Sequence, residues 1–517
     1  MRPAPQCRAD PVARRRKGDP ARRRRMALWR RGTVLLGLIV ALLSVWQLES
    51  ARSGLILQTQ NIAGTPVTRA ALAKADGPLV IVAHGFAGSR QMMQGYALPL
   101  AQAGYRVWSF DFHGHGRNPQ PMTGDVTVIE GTTMRLVEQT RDVVAAARQA
   151  EGWTGPVALL GHSMATDIII RTAEAGPGIG PIIAISAFSQ AVTADFPADM
   201  LLISGQGEPP LRAFALKALH MVAPDAQEGD TVTQDTIRRA AIVAPGVEHV
   251  GVLFSQTGQA AALDWLDTSY GRSSTITPPA TGAWLAALLA AIVTLAWPLS
   301  RLLPATAVPL PPITGRQFML ALLVPMVAAP VVAVLLGVKT LPVLVADHLA
   351  VHLMIYGALQ LALLWRFGLR PGPVAPLATI ALILWGLAVF GLALDRYGAN
   401  YWPTAERGWI IAALALGAVP FMLADALISG AGRGTWGRRI LARLGVLASL
   451  GLAVALDPSE LFFLVLIAPV ILLFYVIYGL MGRWVAQRSG AAAAGLGLGL
   501  ALAWALGVSF PLFSATG

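Results

Sequence analysis

Two patterns of hydrophobic and polar residues divide this chain. Between residues 54 and 268, short β-rich runs alternate with amphipathic stretches, whereas apolar blocks of membrane-spanning length follow one another from residue 283 onward. One earlier apolar block covers residues 33–46. A membrane helix needs about 20 mostly apolar residues, while a buried strand needs only about 4–8. The pattern therefore predicts a globular domain between a first membrane helix and a bundle of further ones.

The segment 54–268 is predicted to be an α/β domain. Its β-rich runs lie at 79–83, 105–110, 157–160, 181–185, 200–204 and 240–243. Amphipathic stretches that predict helices lie between them, at 91–103, 133–150 and 210–221. Such alternation is typical of a mostly parallel sheet covered by helices. Residues 269–282 are rich in Ser, Thr and Pro and predict a linker.

Residues 283–517 predict an all-α transmembrane bundle of eight helices. The blocks lie at about 283–299, 317–337, 342–365, 374–394, 409–428, 440–456, 460–481 and 491–511. The block at 33–46 also fits a signal-peptide core, but no small-x-small cleavage site follows before residues 47–49. This favours an uncleaved transmembrane signal anchor at 32–49, and hence about nine spans in total.

Basic residues in the loops predict the orientation, because cytoplasmic loops carry an excess of Lys and Arg. With the N-terminus inside, the outside loops contain only Lys339, Arg396 and Arg407. The inside loops and flanks contain ten arginines: Arg301, Arg316, Arg366, Arg370, Arg433, Arg438, Arg439, Arg443, Arg483 and Arg488. The sequence thus predicts a multi-pass protein of a bacterial cytoplasmic (inner) membrane, with the globular domain and the C-terminus on the outer side.

The composition agrees with a membrane protein, since 55% of the residues are hydrophobic and 13% are charged. Residues 1–31 hold twelve Arg or Lys and two Asp, so they supply +10 of the net charge of +12. We interpret this stretch as a disordered basic tail on the cytoplasmic flank of the anchor, and not as a nucleic-acid-binding face. Met26 opens a compact signal-anchor pattern, so a native start at Met26 is a hypothesis. The single cysteine, Cys7, excludes a disulfide within the chain and a thiolate metal site.

One short motif in the globular part points to nucleophilic chemistry. Residues 161–165 have the sequence Gly-His-Ser-Met-Ala, directly after an apolar strand and before a helical stretch. This is the setting of a nucleophile elbow, in which a tight turn exposes a serine hydroxyl. Ala165 replaces the usual glycine, and its side chain is small enough for the close packing of strand and helix. The motif alone is a weak signal.

Two further turns make the pattern specific. A strand ends in His84-Gly85, and a second strand is followed by Asp111-Phe112-His113-Gly114-His115-Gly116. With these motifs in this order, residues 54–268 resemble the α/β-hydrolase superfamily, especially its serine-aminopeptidase and monoacylglycerol-lipase-like branch. The resemblance covers under half of the chain. It implies the α/β-hydrolase fold, Ser163 as nucleophile, and no cofactor or metal.

A serine hydroxyl needs a base, and the base needs an orienting carboxylate. In this fold the chain order is Ser, then Asp or Glu, then His. Downstream of Ser163 the globular part offers His220, on an amphipathic stretch, and His249, in a loop after the last predicted strand where the family's catalytic histidine lies. Glu208 stands where the family has an Asp after a strand and a glycine turn, and either carboxylate can orient an imidazole. The rival carboxylates are Asp195, Asp199, Asp225 and Asp230.

The resemblance also implies an oxyanion hole formed by the backbone amides of Phe86 and Met164. The other histidines near these turns, His84, His113, His115 and His162, are expected to shape the turns. The segment between residues 186 and 200 is short, so any cap over the site is small, with residues 211–221 as a candidate lid.

Ionisable residues also occur inside the predicted spans, where they are costly. His348 and His352 lie four residues apart on one helical face, beside Asp347, and Asp425 lies in another span. Three functional interpretations are open: a proton relay, a metal site, and recognition of a lipid headgroup. The structural alternative is interhelical hydrogen bonding near the outer surface.

The sequence thus predicts a membrane-anchored serine hydrolase that acts on an ester or amide, with a lipid or acylated molecule as a candidate substrate. Its expected partners are membrane lipids and this substrate, and no nucleic acid. Two alternatives are open. One is a transporter or membrane-assembly protein with a non-catalytic hydrolase-like domain. The other is an acyltransferase with the same acyl-enzyme and a different acceptor.

Overall fold

The computed structural model describes residues 20–514, except residues 124, 127 and 344. Residues 1–19, which include Cys7 and most of the predicted basic tail, lie outside the described residues. The first helix, α1, spans Pro20–Ser50. The prediction of a disordered tail as far as residue 31 is therefore wrong for residues 20–31. Proline is tolerated in a first helical turn, and Ala and Arg are good helix formers, so the helix begins well before the apolar block.

The globular domain is built on one nine-stranded sheet. Its strands are β1 Leu55–Ile62, β2 Thr65–Leu72, β3 Leu79–Ala83, β4 Arg106–Phe110, β5 Val157–His162, β6 Ile179–Ile185, β7 Asp199–Gly205, β8 Thr231–Gln234 and β9 Ile237–Ala244. They are ordered β1-β2-β4-β3-β5-β6-β7-β9-β8. The central strands β4-β3-β5-β6-β7-β9 run parallel, while β1, β2 and β8 pair antiparallel at the two edges. The prediction of a mostly parallel sheet is confirmed.

Helices cover both faces of this sheet. One face carries α2 Gln94–Gln102 and α6 Gln256–Ser269, and the other carries α3 Met134–Glu151, α4 Met164–Glu174 and α5 Pro209–His220. The central strands are apolar on both sides because both faces are buried. Burial of these strands fixes their register, and hence the positions of the loops at their carboxyl ends.

Within the described residues, nine helices are long and apolar enough to cross a membrane. They are α1, α7 Thr281–Leu299, α8 Gly315–Leu336, α9 Ala346–Arg366, a span of α10 Pro376–Ile383 and α11 Gly391–Tyr397 joined by the π-helical turn Leu384–Phe390, α12 Ala405–Ile428, α13 Trp436–Leu456, α15 Leu464–Ser489 and α16 Ala491–Ser509. A short helix, α14 Pro458–Leu461, precedes α15. The chain is thus a multi-pass membrane protein, as the apolar blocks predict.

Small residues bring α12 close to two neighbours. A Cβ atom added at Gly357 of α9 would lie 2.4 Å from the backbone nitrogen of Phe421, so only glycine permits this crossing. On the other side, Gly495 and Gly499 of α16 face the Cα atoms of Leu423 and Val419 in the same way. Close backbone approach through small residues is a common mode of helix packing in membranes. Helix α12 consequently lies between α9 and α16.

One end of the bundle packs against the globular domain. Arg407, at the start of α12, donates through Nη2 to the carbonyl of Gly114 at 2.7 Å. Arg117 of the globular domain pairs with Asp395 at 2.5 Å, and Met122 donates its amide to the carbonyl of Leu512 at 2.9 Å. These contacts join the domain to the ends of α11, α12 and α16.

The basic loops lie at the opposite end of the bundle. There, Arg488 donates to the carbonyl of Leu303 at 2.8 Å, and Arg433 donates to the carbonyl of Gln487 at 3.1 Å. Arg407 and Arg396, two of the three basic residues expected in the outside loops, lie at the end that meets the globular domain, as expected. Arg407 bonds to that domain, and Arg396 pairs with Glu49 at 2.6 Å. The two ends of the bundle therefore differ in charge as the loop pattern predicts.

Candidate active site

Ser163 lies on a sharp turn between β5 and α4. Its backbone has φ 55° and ψ −121°, a conformation that costs about 1–3 kcal/mol for a residue with a side chain. The turn is held by a hydrogen bond from the Ser163 amide to the carbonyl of Ile185 at 2.8 Å. Small residues are needed beside it, since a Cβ atom added at Gly161 would lie 3.0 Å from the carbonyl oxygen of Ala165. The turn places the serine hydroxyl at the carboxyl end of the sheet.

A chain of hydrogen bonds connects this hydroxyl to a buried carboxylate. Nε2 of His249 lies 2.9 Å from Oγ of Ser163, and Nδ1 of His249 lies 2.5 Å from Oε1 of Glu208. Glu208 is buried, and its second oxygen accepts hydrogen bonds from the Gly205 amide at 2.6 Å and from the Ser186 hydroxyl at 2.8 Å. The structure thus brings together the three predicted residues, from loops after β5, β7 and β9.

Glu208 is stabilised in its ionised form. Burial alone would raise its pKa, but the hydrogen bonds from His249, Gly205 and Ser186 outweigh burial and hold the pKa below its ordinary value. An ionised carboxylate fixes the proton of His249 on Nδ1 and leaves Nε2 free to accept a proton from Ser163. This is the arrangement that general-base catalysis requires.

The His84-Gly85 turn lies directly against the serine. A Cβ atom added at Gly85 would lie 3.0 Å from Cβ of Ser163, so a side chain at this position would displace the nucleophile. In the part of the chain that the structure describes, the amides of Phe86 and Met164 have no hydrogen-bond acceptor. Two free amides flanking a nucleophile can receive the negative charge of a tetrahedral intermediate.

His84 and Asp111 support this turn from behind. Nδ1 of buried His84 donates to the carbonyl of Gly85 at 2.7 Å, and its Nε2 accepts from the amide of Phe112 at 3.1 Å. Asp111 accepts hydrogen bonds from the amides of Arg90 and Arg117 and pairs with the Arg90 side chain. Burial lowers the pKa of His84, so that the neutral ring with one donor and one acceptor is the stable form. His84 and Asp111 thus fix the backbone of the turns beside Ser163.

His162 has a role that the sequence does not show. Its Nε2 lies 2.9 Å from the carbonyl oxygen of His249, and the two imidazole rings lie 4.8 Å apart. Nε2 of His162 must therefore carry the proton and donate it. His162 ties the loop of His249 to the end of β5, although 87 residues separate them. In the sequence, only the position of His162 beside Ser163 suggests that it has a role at the site.

We expect this contact to make the stability of the domain depend on pH. Burial, followed by the nearby His249, lowers the pKa of His162 to about 4 from its ordinary value of 6.5. Between these values the unfolded chain binds more protons than the folded one, so stability is lost as pH falls from 6.5 to 4, by up to about 3 kcal/mol. Urea unfolding at pH 7 and pH 4.5 measures this loss. His162→Asn keeps a donor but does not titrate, and should lose less stability. An equal loss of stability in wild type and His162→Asn would show that His162 does not cause the pH dependence.

The rival residues lie elsewhere. Nε2 of His220 contacts the carbonyl of Ala226, and Asp199 pairs with Arg238 at the far end of β7. Asp230 accepts from the amide of Gln227, and Asp225 is exposed. Asp195 and Arg239 attract each other electrostatically. None of these rivals has a hydrogen bond to His249 or Ser163 among the described residues.

Comparison with known families supports the fold. Residues 75–245 match the family described as "Serine aminopeptidase, S33". The globular domain has the α/β-hydrolase fold and is called the hydrolase domain below. Within the hydrolase domain the match includes Ser163 and Glu208 and ends just before the loop of His249. No match was found among the curated proteins.

Solved structures that resemble the hydrolase domain include three from different organisms. A "predicted CIB-like hydrolase" from Thermoplasma acidophilum is 18% identical, with 42% of this chain and 100% of that chain covered and a TM-score of 0.33. A soluble variant of monoglyceride lipase from Saccharomyces cerevisiae is 14% identical, with 42% and 96% covered and a TM-score of 0.31. An epoxide hydrolase from Vigna radiata is 16% identical, with 42% and 97% covered and a TM-score of 0.28.

Proposed function

We propose that this protein is a membrane-anchored serine hydrolase that cleaves an ester or amide through an acyl-enzyme on Ser163. The observation that carries the proposal is the continuous hydrogen-bond chain from Ser163 through His249 to buried Glu208. Such a chain converts a weak hydroxyl nucleophile into a reactive one. The free amides of Phe86 and Met164 complete the arrangement.

The proposed reaction has two halves. Oγ of Ser163 attacks the carbonyl carbon while Nε2 of His249 accepts the hydroxyl proton, and Glu208 stabilises the imidazolium that forms. The amides of Phe86 and Met164 bind the oxyanion, and His249 then protonates the leaving alcohol or amine. Water repeats these steps on the acyl-enzyme and releases the acid. Transfer of the acyl group to another alcohol would differ only in this acceptor, and product analysis with an added alcohol separates the two outcomes.

The surroundings of the site support a lipid or acylated substrate. The ring of Phe86 lies 5.5 Å from that of Phe463, just before membrane helix α15. Both rings, with Leu466, line a small apolar cavity of about 40 Å³. Exposed apolar side chains flank the site, including Phe188 and Val250. An acyl chain leaving the bilayer would meet apolar surface up to the oxyanion turn.

We further propose that the hydrolase domain lies on the outer side of a bacterial cytoplasmic membrane. The basic loops lie at the end of the bundle away from the hydrolase domain, and an excess of Arg and Lys marks the cytoplasmic side. Accessibility of an engineered cysteine at exposed Asp225 to an impermeant maleimide, in intact cells, checks this orientation.

A fluorophosphonate probe tests the proposed nucleophile. Purified full-length protein in detergent should react with the probe and hydrolyse short p-nitrophenyl esters, because an activated serine attacks phosphorus as it attacks a carbonyl carbon. Ser163→Ala should abolish labelling, whereas Ser273→Ala, an exposed serine of the linker, should leave it unchanged. Equal labelling of wild type and Ser163→Ala would show that the nucleophile is wrongly assigned.

A further inference from the structure

Helix α9 carries a buried polar stripe through the membrane domain. His348, His352, Tyr356 and Gln360 recur every four residues, and their exposed fractions are 9%, 0%, 1% and 2%. Residues four apart share one face of a helix, and twelve residues rise about 18 Å. The stripe therefore crosses more than half of a hydrocarbon layer of about 30 Å. Ionisable groups at such depth are costly, so a function is the default interpretation.

The outer end of the stripe opens into a cavity. A space of about 590 Å³ lies at the end of the bundle that meets the hydrolase domain, lined by His348, Asp347, Lys339, Glu460 and other residues. His348 is nine-tenths buried, and its Nε2 has no hydrogen-bond partner among the described residues. Most of its lining is apolar, but the carboxylates of Asp347, Asp457 and Glu460 lie among the lining residues and can attract protons. The cavity therefore gives His348 access to the aqueous phase.

The middle of the stripe is a contact between two histidines. The rings of His348 and His352 lie 5.5 Å apart. Nε2 of His352 lies 3.0 Å from Oγ of Ser449 on α13, while its Nδ1 has no partner in the described part of the chain. The ring of Tyr356 is stacked on that of His352 at 6.5 Å. Ring rotation or a bridging water can close these separations.

The inner end of the stripe meets an ion pair. Asp425 of α12 is buried and lies 3.9 Å from Nε of Arg443. It is one helical turn from Phe421, whose ring lies 5.7 Å from that of Tyr356. It is three residues from the end of α12, at the end of the bundle with the basic loops. Arg439, in the first turn of α13, packs on Trp436 at the same end. Protonatable groups thus extend from the outer cavity to within one turn of the inner surface.

We propose that these groups form a path for protons through the membrane domain, from the outer cavity through His348, His352 and Tyr356 to Asp425. An imidazole accepts a proton on one nitrogen and releases one from the other, so each histidine returns to its neutral state. The hydroxyl of Tyr356 passes a proton in the same way, and Asp425 accepts it and releases it beside Arg443. Each transfer breaks one O–H or N–H bond and forms one, without an oxidant or other reactant.

The path explains the stripe better than a metal site or a headgroup site does. Among the described residues, no group of three His, Cys, Asp or Glu side chains could hold a metal ion. Recognition of a headgroup would use the outer cavity and would not involve the deeper groups His352 and Asp425. Packing alone would favour satisfied polar groups, yet two ring nitrogens of the stripe are unpaired.

Proton flux into liposomes tests the path. Full-length protein is reconstituted into vesicles that contain the pH dye pyranine, and a potassium gradient with valinomycin drives protons inward. We expect wild type and Ser163→Ala to acidify the lumen at equal rates, at least tenfold faster than protein-free vesicles. His352→Gln keeps a donor for Ser449 but does not titrate, and Asp425→Asn removes the acceptor. Each should reduce the flux to the protein-free rate.

The controls separate loss of the path from loss of the fold. Thr379→Val removes a buried polar group of α10, away from the stripe, and should leave the flux unchanged. Tyr356→Phe removes a single hydroxyl and should lower the flux severalfold in protein that elutes as wild type in gel filtration. Wild-type flux at the protein-free rate, or His352→Gln and Tyr356→Phe at the wild-type rate, would overturn the proposal. The result for Ser163→Ala keeps this outcome separate from the proposed hydrolase activity.

Discussion

Replacing His249 by alanine is expected to lower kcat for ester hydrolysis about 10⁶-fold, close to the loss for Ser163→Ala. His249 is the proton acceptor within reach of Ser163, since its Nε2 lies 2.9 Å from the hydroxyl. Without this base the serine stays protonated near neutral pH. Initial rates with p-nitrophenyl butyrate over a range of substrate concentrations separate the effect on kcat from that on KM, which should change little.

His220→Ala is the matched control for this prediction. His220 lies on α5, and its ring forms a hydrogen bond with the carbonyl of Ala226. Its replacement should leave kcat within twofold of the wild-type value. The double variant Ser163→Ala/His249→Ala should be no slower than either single variant, because residues that act as a unit are not additive. A His249→Ala enzyme with most of its kcat would rule out this histidine as the base.

Replacing Glu208 by glutamine is expected to lower kcat about 10⁴-fold, with the fold retained. The amide keeps the size of the carboxylate and its contact with Ser186, but it loses the charge that stabilises protonated His249. It also permits the histidine tautomer whose Nε2 carries the proton and cannot accept another. The measurement is kcat with the same ester, together with the rate of fluorophosphonate labelling, which should fall in parallel.

Asp225→Asn is the control for the loss of a carboxylate charge, since Asp225 is exposed and was a rival candidate in the sequence. Its kcat should equal that of wild type. A Glu208→Gln variant with unchanged kcat would mean that His249 is oriented by other contacts, above all by the bond from His162 to its backbone.

The central strands of the sheet were predictable because burial on both faces gives them continuous apolar sequences, as in β3 and β5. The edge strands β1, β2 and β8 were not predicted. β1 is polar and largely exposed over Gln58, Thr59 and Gln60, and β8 has only four residues. Such strands depend on pairing with a neighbour, and local sequence does not record pairing.

The three candidate catalytic residues could be placed from sequence because the fold fixes their order and the turns that carry them. The contacts that support these three residues could not be predicted from the sequence. The bond from His162 to His249 and the contact of Phe86 with Phe463 join residues 87 and 377 positions apart. Only the packed structure brings such residues together. The number of membrane helices was predictable because length and hydropathy suffice to identify them. The unpaired atoms in the polar stripe of α9 could be identified only once the packing of the neighbouring helices was known.

Arg407 has a consequence for how the molecule is made. Its guanidinium is buried, and it donates to the carbonyls of Gly114, Gly507 and Phe510. The first acceptor is synthesised before α12 and the other two after it, so Arg407 gains all three acceptors only when the final helix is in place. A buried charge without its acceptors opposes docking of an incomplete bundle. We therefore expect the hydrolase domain and the membrane bundle to dock only after the last span is complete.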